Sequence, residues 1–298
     1  MPAPATRVLV FGEALYDELP AGRRPGGGAL NTAAHLAALG SHAALVTAVG
    51  GDDFGDDLIE VADGLAVATD LVQRSTLPTG RVGVAIGADG EPSYEIHAPV
   101  AWDDIRYPGT GPTPFPRPAA DAGEAALPIA ASRAAAVTAH LLSARGPTSA
   151  AALRRVLAKA PPRAPRFADL GLRADFYAAH TLDWLLRAAT VAKCNAAELR
   201  VVTDVLGIES SARSLAMAYG LEAVVVTQGA AGAYSYRDGQ TIRTVAAPVE
   251  TLVDTVGCGD AFLAGYVHAY LSGLDEAACL RTGCARGGYA ATLHGGLP

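Results

Sequence analysis

The sequence predicts an α/β fold built on a mostly parallel sheet with helices on both faces. Three observations predict it. Short β-branched apolar runs alternate with alanine- and leucine-rich stretches of helical spacing. The runs are continuous rather than alternating, as expected of strands buried on both sides. Hydrophobic residues make up 50% of the 298, enough to cover an extended sheet twice over.

The elements follow in order. Residues 8–11 (V-L-V-F) are the first buried run. Residues 31–39 repeat alanine and leucine at helical spacing and stop at Gly40, a residue suited to a left-handed C-terminal cap. Further strands are predicted at 44–49, 167–170, 190–193 and 223–227, and further helices at 149–160, 180–189, 210–219 and 261–271. Two stretches depart from this rhythm. Residues 81–86 and 93–97 alternate in polarity around the turn Ala88-Asp89-Gly90, which predicts a hairpin. With residues 13–24 they are expected to form a small sheet apart from the main one, usable as a lid. Residues 108–118, rich in proline, are expected to be a surface loop.

Composition removes several function classes. Charged residues are 18% of the chain, the net charge is −7, and no run of Lys or Arg offers a field for a nucleic-acid backbone. Cys194, Cys258, Cys279 and Cys284 show no C-x-x-C spacing and no histidine cluster, so neither a zinc site nor a disulfide framework is expected. The N-terminal M-P-A-P-A-T-R lacks the layout of a secretory signal, and no apolar segment approaches the roughly 18 residues of a membrane span. A soluble, cytoplasmic protein without a membrane partner is expected.

One motif carries chemistry. In D-T-V-G-C-G-D-A-F, from Asp254 to Phe262, the small residues Gly257, Cys258 and Gly259 lead into a helix. Backbone amides there can approach and converge on an anion, and Asp260 stands where the turn becomes helix. A helix-capping acid is the plainer alternative. No G-x-x-x-x-G-K-[ST] loop occurs, and P-G-G-G-A-L-N at residues 25–31 lacks the dinucleotide-binding glycine spacing. Only two lysines exist, Lys159 and Lys193, so phosphate chemistry is expected to rest on amides, arginine or a metal ion.

These residues resemble the PfkB-type, or ribokinase-like, carbohydrate kinases. The first signature of that family resembles residues 25–40 followed by V-G-G-D-D-F-G at 49–55; the second resembles the Asp254–Phe262 motif. Between them, K-C-N-A-A-E is similar to the family's N-x-x-E element and V-V-V-T-Q-G-A-A-G to its nucleotide-side strand and turn. Residues 11–20, 78–82 and 94–103 look most like bacterial fructokinases. The resemblance implies one domain over residues 1–298, a three-layer ribokinase-like sandwich with a β lid from about 13–25 and 80–104, paired with a second lid in a possible homodimer.

The resemblance also implies ATP-dependent phosphorylation of a sugar's primary hydroxyl, fructose being the first candidate. Asp260 would be the general base, with the amides of Gly257, Cys258 and Gly259 holding the transferred charge. Asp17, Gly26, Gly27, Asn31 and Arg173 would bind sugar, though Asp17 also reads as a turn acid, Asn31 as a helix N-cap and Arg173 as an ion-pair partner. Asn195, Thr227, Gly229 and Gly232 would bind nucleotide with Gly257 and Gly259. Glu198 would organise Mg²⁺ through water, Mg²⁺ carrying most of the phosphate charge. Asp254 matches a position that helps hold K⁺ in some members, or simply caps the turn. Two departures bear on the choice of sugar: Gly171 stands where the family has asparagine, and His140 where fructokinase-like members tend to have glycine. The same scaffold serves nucleoside and other sugar kinases, and a non-catalytic sugar-binding regulator is the reading from another class.

Overall fold

The computed structural model describes residues 7–19, 22–86, 92–109, 115, 121–173, 176–246 and 248–298. The turn expected at Ala88-Asp89-Gly90 and most of the proline-rich loop lie outside them. The chain begins with β1 (Val8–Phe11), β2 (Leu15–Leu19), β3 (Gly22–Gly26), α1 (Gly28–Ala38), β4 (Ala43–Val46), β5 (Ala48–Gly50), α2 (Asp53–Gly64) and β6 (Gln73–Ser75). It continues with β7 (Gly80–Ile86), β8 (Pro92–Ile96), α3 (Ala122–Ser132), β9 (Ala136–His140), α4 (Pro147–Lys159), β10 (Arg166–Asp169), α5 (Ala179–Ala188) and β11 (Val191–Asn195). Then come α6 (Ala196–Val205), α7 (Ala212–Tyr219), β12 (Ala223–Thr227), β13 (Ala233–Arg237), β14 (Gln240–Thr244), α8 (Cys258–Leu271) and α9 (Glu276–Ala290).

The main sheet has eight strands in the order β14-β13-β12-β11-β10-β9-β1-β4, parallel except for the β13 and β14 edge. Its two faces explain the uninterrupted apolar runs. In β1, Leu9 and Phe11 join a core with residues of α3 to α7, while Val8 and Val10 join one with residues of α1, α2, α8 and α9. The inner strands such as β1 and β9 therefore have no exposed side, and the sandwich has three layers. No helix among the described residues is long and apolar enough to cross a membrane.

Some expected elements are corrected. The run 44–49 divides at Thr47: β4 belongs to the main sheet, whereas β5 pairs with β6 in a separate two-stranded sheet. β9 carries A-V-T-A-H inside an alanine-rich stretch, so its period was masked by residues of high helix propensity. β13 and β14 form a hairpin whose Asp238 and Gly239 both have positive φ, a D-G turn signal present in the sequence.

The small sheet has the order β3-β2-β7-β8 and its own core of Leu15, Val82, Val100 and Trp102. Trp102 is fully buried, and a Cβ on Gly80 would overlap its ring. Arg145, from the segment after β9, donates from Nε and Nη2 to the two oxygens of Asp103, each at 2.7 Å. Ring packing and this bidentate pair fasten the base of the small sheet to the main body. Gly80→Ala is expected to destabilise the chain by about 1–3 kcal/mol through overpacking, measured as a lower urea midpoint with unchanged slope.

Candidate active site

The carboxyl ends of the parallel strands converge on one crevice. The helices that follow β1 and β9, namely α1 and α4, pack on opposite faces of the sheet. Where successive connections diverge in this way, the strand ends leave an open cleft. His140 ends β9 and pairs in register with Asp169 at the end of β10, whose other partner is Lys193 of β11. Asn195 ends β11 opposite Thr227 of β12. One row of strand ends thus carries residues spread over nearly 90 positions of sequence.

Asp260 is the third residue of α8, which begins at Cys258 and not at residue 261 as expected. Gly257 is the N-cap with φ 74°, and a Cβ on it would overlap the backbone of Gly296, so only glycine fits. The first-turn amides have no intrahelical acceptor. The Cys258 amide is the exception in part, since it donates to the Thr255 carbonyl at 3.3 Å. Gly257 and Gly259 are thus the freer donors of the three. Burial pushes the Cys258 thiol up, which keeps it protonated and poorly nucleophilic.

The Asp260 carboxylate accepts a hydrogen bond from Asn31 Nδ2 at 2.8 Å. Burial pushes its carboxyl above the ordinary range; His140 opposes this and Asp169 adds to it. Asn31 sits one turn inside α1, whose N-cap is Gly27, so the N-cap alternative for Asn31 does not hold. Gly27 has φ 102°, and Gly26 must also lack a side chain because a Cβ there would lie 2.9 Å from Asp17 Oδ2. Asp17 extends from β2 of the small sheet. Burial, then the nearby Asp260, raise its carboxyl to about 6, with Arg173 pulling the other way. Asp17, Gly26 and Asn31, from three consecutive elements, and Asp260, from α8 far along the chain, therefore surround one space.

Two residues at this site escaped the sequence reading. Lys193 Nζ donates to both oxygens of Asp169, at 3.1 and 3.2 Å, and a Cβ on Gly259 would lie 3.0 Å from that ammonium. Burial works against its charge, but Asp169, Glu198 and Asp260 together outweigh it and the ammonium is held protonated. A lysine therefore stands beside the glycine turn, which the expectation of amides, arginine or a metal ion leaves out. The signal was its place two residues before Asn195 in K-C-N-A-A-E. Glu13 follows β1, accepts from the Gly28 amide at 3.0 Å through Oε1, and has a raised carboxyl owing to burial, opposed by His140. No isolated spacing signalled that glutamate.

The nucleotide-side residues have structural work as well. Asn195 Oδ1 accepts from the amides of Ala197 and Glu198, while Glu198 Oε2 accepts from the Asn195 amide at 2.7 Å. This is a capping box at the start of α6, and N-x-x-E is its sequence signature. Glu198 Oε1 accepts from the Leu172 amide at 3.2 Å. A carboxylate has roughly four lone-pair sites, so Glu198 retains capacity toward water. Gly229 and Gly232 both have positive φ in the tight turn after β12, closed by Gln228 N–H donating to Gly232 O at 2.8 Å.

The two departures have a physical setting. A Cβ on Gly171 would meet only Arg173 Nη1 and Asp169 Oδ1, each at 3.7 Å, so Arg173 occupies the space beside the missing asparagine side chain. Arg173 itself is exposed and donates to the Leu172 carbonyl. His140 is buried, its Nδ1 lies 3.8 Å from Asp169 Oδ2, and a Cβ on Gly28 would lie 2.8 Å from the same nitrogen. Ligand atoms of His140, Asp169 and Asp260 lie within 4.8 Å of one another. The Lys193 ammonium already meets Asp169 there.

The family described as "pfkB family carbohydrate kinase" matches residues 11–103 and 114–297. The fructokinase of Klebsiella pneumoniae is 30% identical over 278 residues, covering 87% of this chain and 82% of that one. The 1-phosphofructokinase of Rhodobacter capsulatus is 38% identical over 96 residues, so the match spans only 30% of this chain and 30% of that relative. Among solved structures, the fructokinase of Xylella fastidiosa with bound ATP superposes with a TM-score of 0.80 at 25% identity, covering 98% of this chain and 95% of that one.

The raised Asp17 carboxyl gives a stability prediction of definite sign. A folded carboxyl shifted upward costs nothing while protonated and destabilises progressively as pH rises from its ordinary value through about 6. Asp17→Asn removes that cost. The variant is expected to melt higher than the parent above pH 6, by on the order of 3 kcal/mol at most, with the gap closing as pH falls. Thermal melts of both proteins across that range provide the check, and a gap independent of pH would contradict it.

Proposed function

The chain belongs to the pfkB family of carbohydrate kinases, and we propose that it transfers the γ-phosphoryl group of ATP to a primary hydroxyl of a monosaccharide, fructose first. One observation carries the reading. A carboxylate with raised proton affinity, Asp260, stands in the first turn of α8, beside the amides of Gly257 and Gly259 and within the same cluster as the Lys193 ammonium. A base, a set of donors and a cation meet at one point.

In this reading the sugar lies among Asp17, Gly26, Gly27 and Asn31, with Arg173 at the margin. Asp17 accepts from sugar hydroxyls, and the two glycines let the ring approach the backbone. As the hydroxyl oxygen bonds to the γ-phosphorus, its proton passes to Asp260 and the bond from phosphorus to the β-γ bridging oxygen breaks, leaving ADP. A raised carboxyl suits this base, since proton transfer is most effective when its affinity lies near the working pH. The Asn31 hydrogen bond keeps the carboxylate from rotating away. The first-turn amides and Lys193 meet charge on the transferring group; each well-aimed amide is typically worth about 3–4 kcal/mol.

In this reading the nucleotide lies along Asn195, at the end of the strand that carries Lys193, and along Thr227 and the Gly229–Gly232 turn of the next strand. The residues present fit a hard divalent cation: Glu198 and Asn195 offer oxygen, and their backbone bonds leave Glu198 able to accept from metal-bound water. Mg²⁺ held there supplies neutralisation of the β- and γ-phosphates. The four-stranded lid sheet has β3 and β8 at its edges, and a homodimer would pair through it.

The experiment is ADP release from Mg-ATP across a panel of hexoses, pentoses and nucleosides. Fructose is expected to lead; a nucleoside ahead of every sugar would reassign the substrate, and binding without ADP release would favour a regulator. Asp260→Asn is expected to lower kcat by about 10²–10⁴-fold with ATP affinity kept. Loss of affinity at unchanged kcat would place Asp260 outside the chemistry. For the parent enzyme, kcat/KM for the sugar should rise with pH through about 6, as Asp17 becomes able to accept from both hydroxyls.

A further inference from the structure

Asp254 opens the turn that leads to Asp260, and the family resemblance implies a potassium ion beside it. Its oxygens already have partners. Oδ1 accepts from the Val256 amide at 3.0 Å, and Oδ2 accepts from the Gly295 amide at 3.2 Å. The Arg24 guanidinium lies against the same Oδ2, with Nη1 at 3.6 Å. The stem of Arg24 runs across the C-terminal segment, since a Cβ on Gly295 would lie 3.4 Å from Arg24 Cδ. The nearby Ala291 carbonyl is occupied as well, accepting from the Val253 amide at 2.9 Å.

This donor set does not fit a monovalent metal ion. Such an ion needs oxygen ligands whose negative charge is not already matched by a neighbouring cation. Here the one carboxylate charge is matched by a fixed cation, and a guanidinium bound that close would repel a second. Arginine stays charged at every working pH, so its presence is permanent. Arg24 also sits on β3, the strand that carries Gly26, and is the register partner of Asp17. The counter-charge for the turn therefore comes from the same strand pair that shapes the sugar space.

Resting on the kinase reading above, we propose that Arg24 is the built-in counter-cation of Asp254 and takes the place of a potassium ion, so that turnover does not depend on monovalent cations. The rival is a half-exposed ion pair of little consequence, the usual value of such pairs.

The test compares the parent, Arg24→Met and Arg24→Lys in potassium chloride and in tetramethylammonium chloride at equal ionic strength. It reads ADP release from Mg-ATP and fructose, and the melting temperature without substrate. The parent is expected to show the same rate and the same melting temperature in both salts. Arg24→Met is expected to be slow in tetramethylammonium and to gain about fivefold or more on changing to potassium, the low end of usual coupling between bound ligands. Its melting temperature should rise in potassium too. Arg24→Lys, which keeps the charge, should resemble the parent. Stimulation of the parent by potassium, or indifference of Arg24→Met to the salt in both readouts, overturns the proposal. Should Arg24→Met fail to fold, Arg24→Gln serves the same comparison. Absence of turnover in either salt counts against the kinase reading instead, and the melting comparison then decides the role of Arg24 alone.

Discussion

The hydrogen bond from Asn31 to Asp260 joins residues 229 positions apart, and much of the site depends on it. It exists only if α1 and α8 lie side by side on the same face of the sheet, which their shared core secures. It also needs the turn at Gly257 to be tight enough to seat against Gly296, and the start of α1 to stay open at Gly26 and Gly27. His35 supports this from below: its Nδ1 accepts from Arg286 Nε, so its Nε2 carries the proton and donates to the Gly296 carbonyl at 3.1 Å. Burial, reinforced by Arg286, lowers the His35 imidazole to about 4, so it remains neutral under ordinary conditions and the arrangement persists.

Around that bond the structure gathers more charge than burial tolerates unpaired. Glu13, Asp17, Asp169, Glu198 and Asp260 lie within reach of Arg173, His140 and Lys193. Burial first, and repulsion from neighbouring acids after it, raise the proton affinities of Glu13, Asp17, Glu198 and Asp260, while donors and cations offset part of this. Buried ion pairs of this kind are poor devices for stability, because desolvation cancels much of their attraction. Their concentration at the strand ends, away from either apolar core, is what marks the location as a reaction site.

The same economy appears where one residue serves two ends. Asn195 and Glu198 cap α6 and also stand at the strand ends beside the crevice, so the orientation of the Glu198 carboxylate is set by the helix it starts. Arg173 and Asp169 border the open space beside Gly171, so a flexible cation stands next to that strand end. His140, between Gly12, Gly28 and Asp169, narrows the crevice at the end of β9.

Local pattern alone determined the α/β class, the buried strands of the parallel sheet and the separate small sheet, because period and apolarity are properties of short stretches. The glycine turn ending on Asp260 and the glycines ahead of Asn31 were legible for the same reason: close backbone approach demands glycine wherever the rest of the chain lies. β9 was hidden by alanine, and the division of residues 44–49 between two sheets was invisible, since both halves look alike until a partner strand claims each. Tertiary structure alone decided that Lys193 lies against the turn at Gly259, that Glu13 is buried against α1, and that Arg24 reaches Asp254. Those are contacts between elements distant in sequence, set by strand order and lid placement, and no spacing along the chain encodes them.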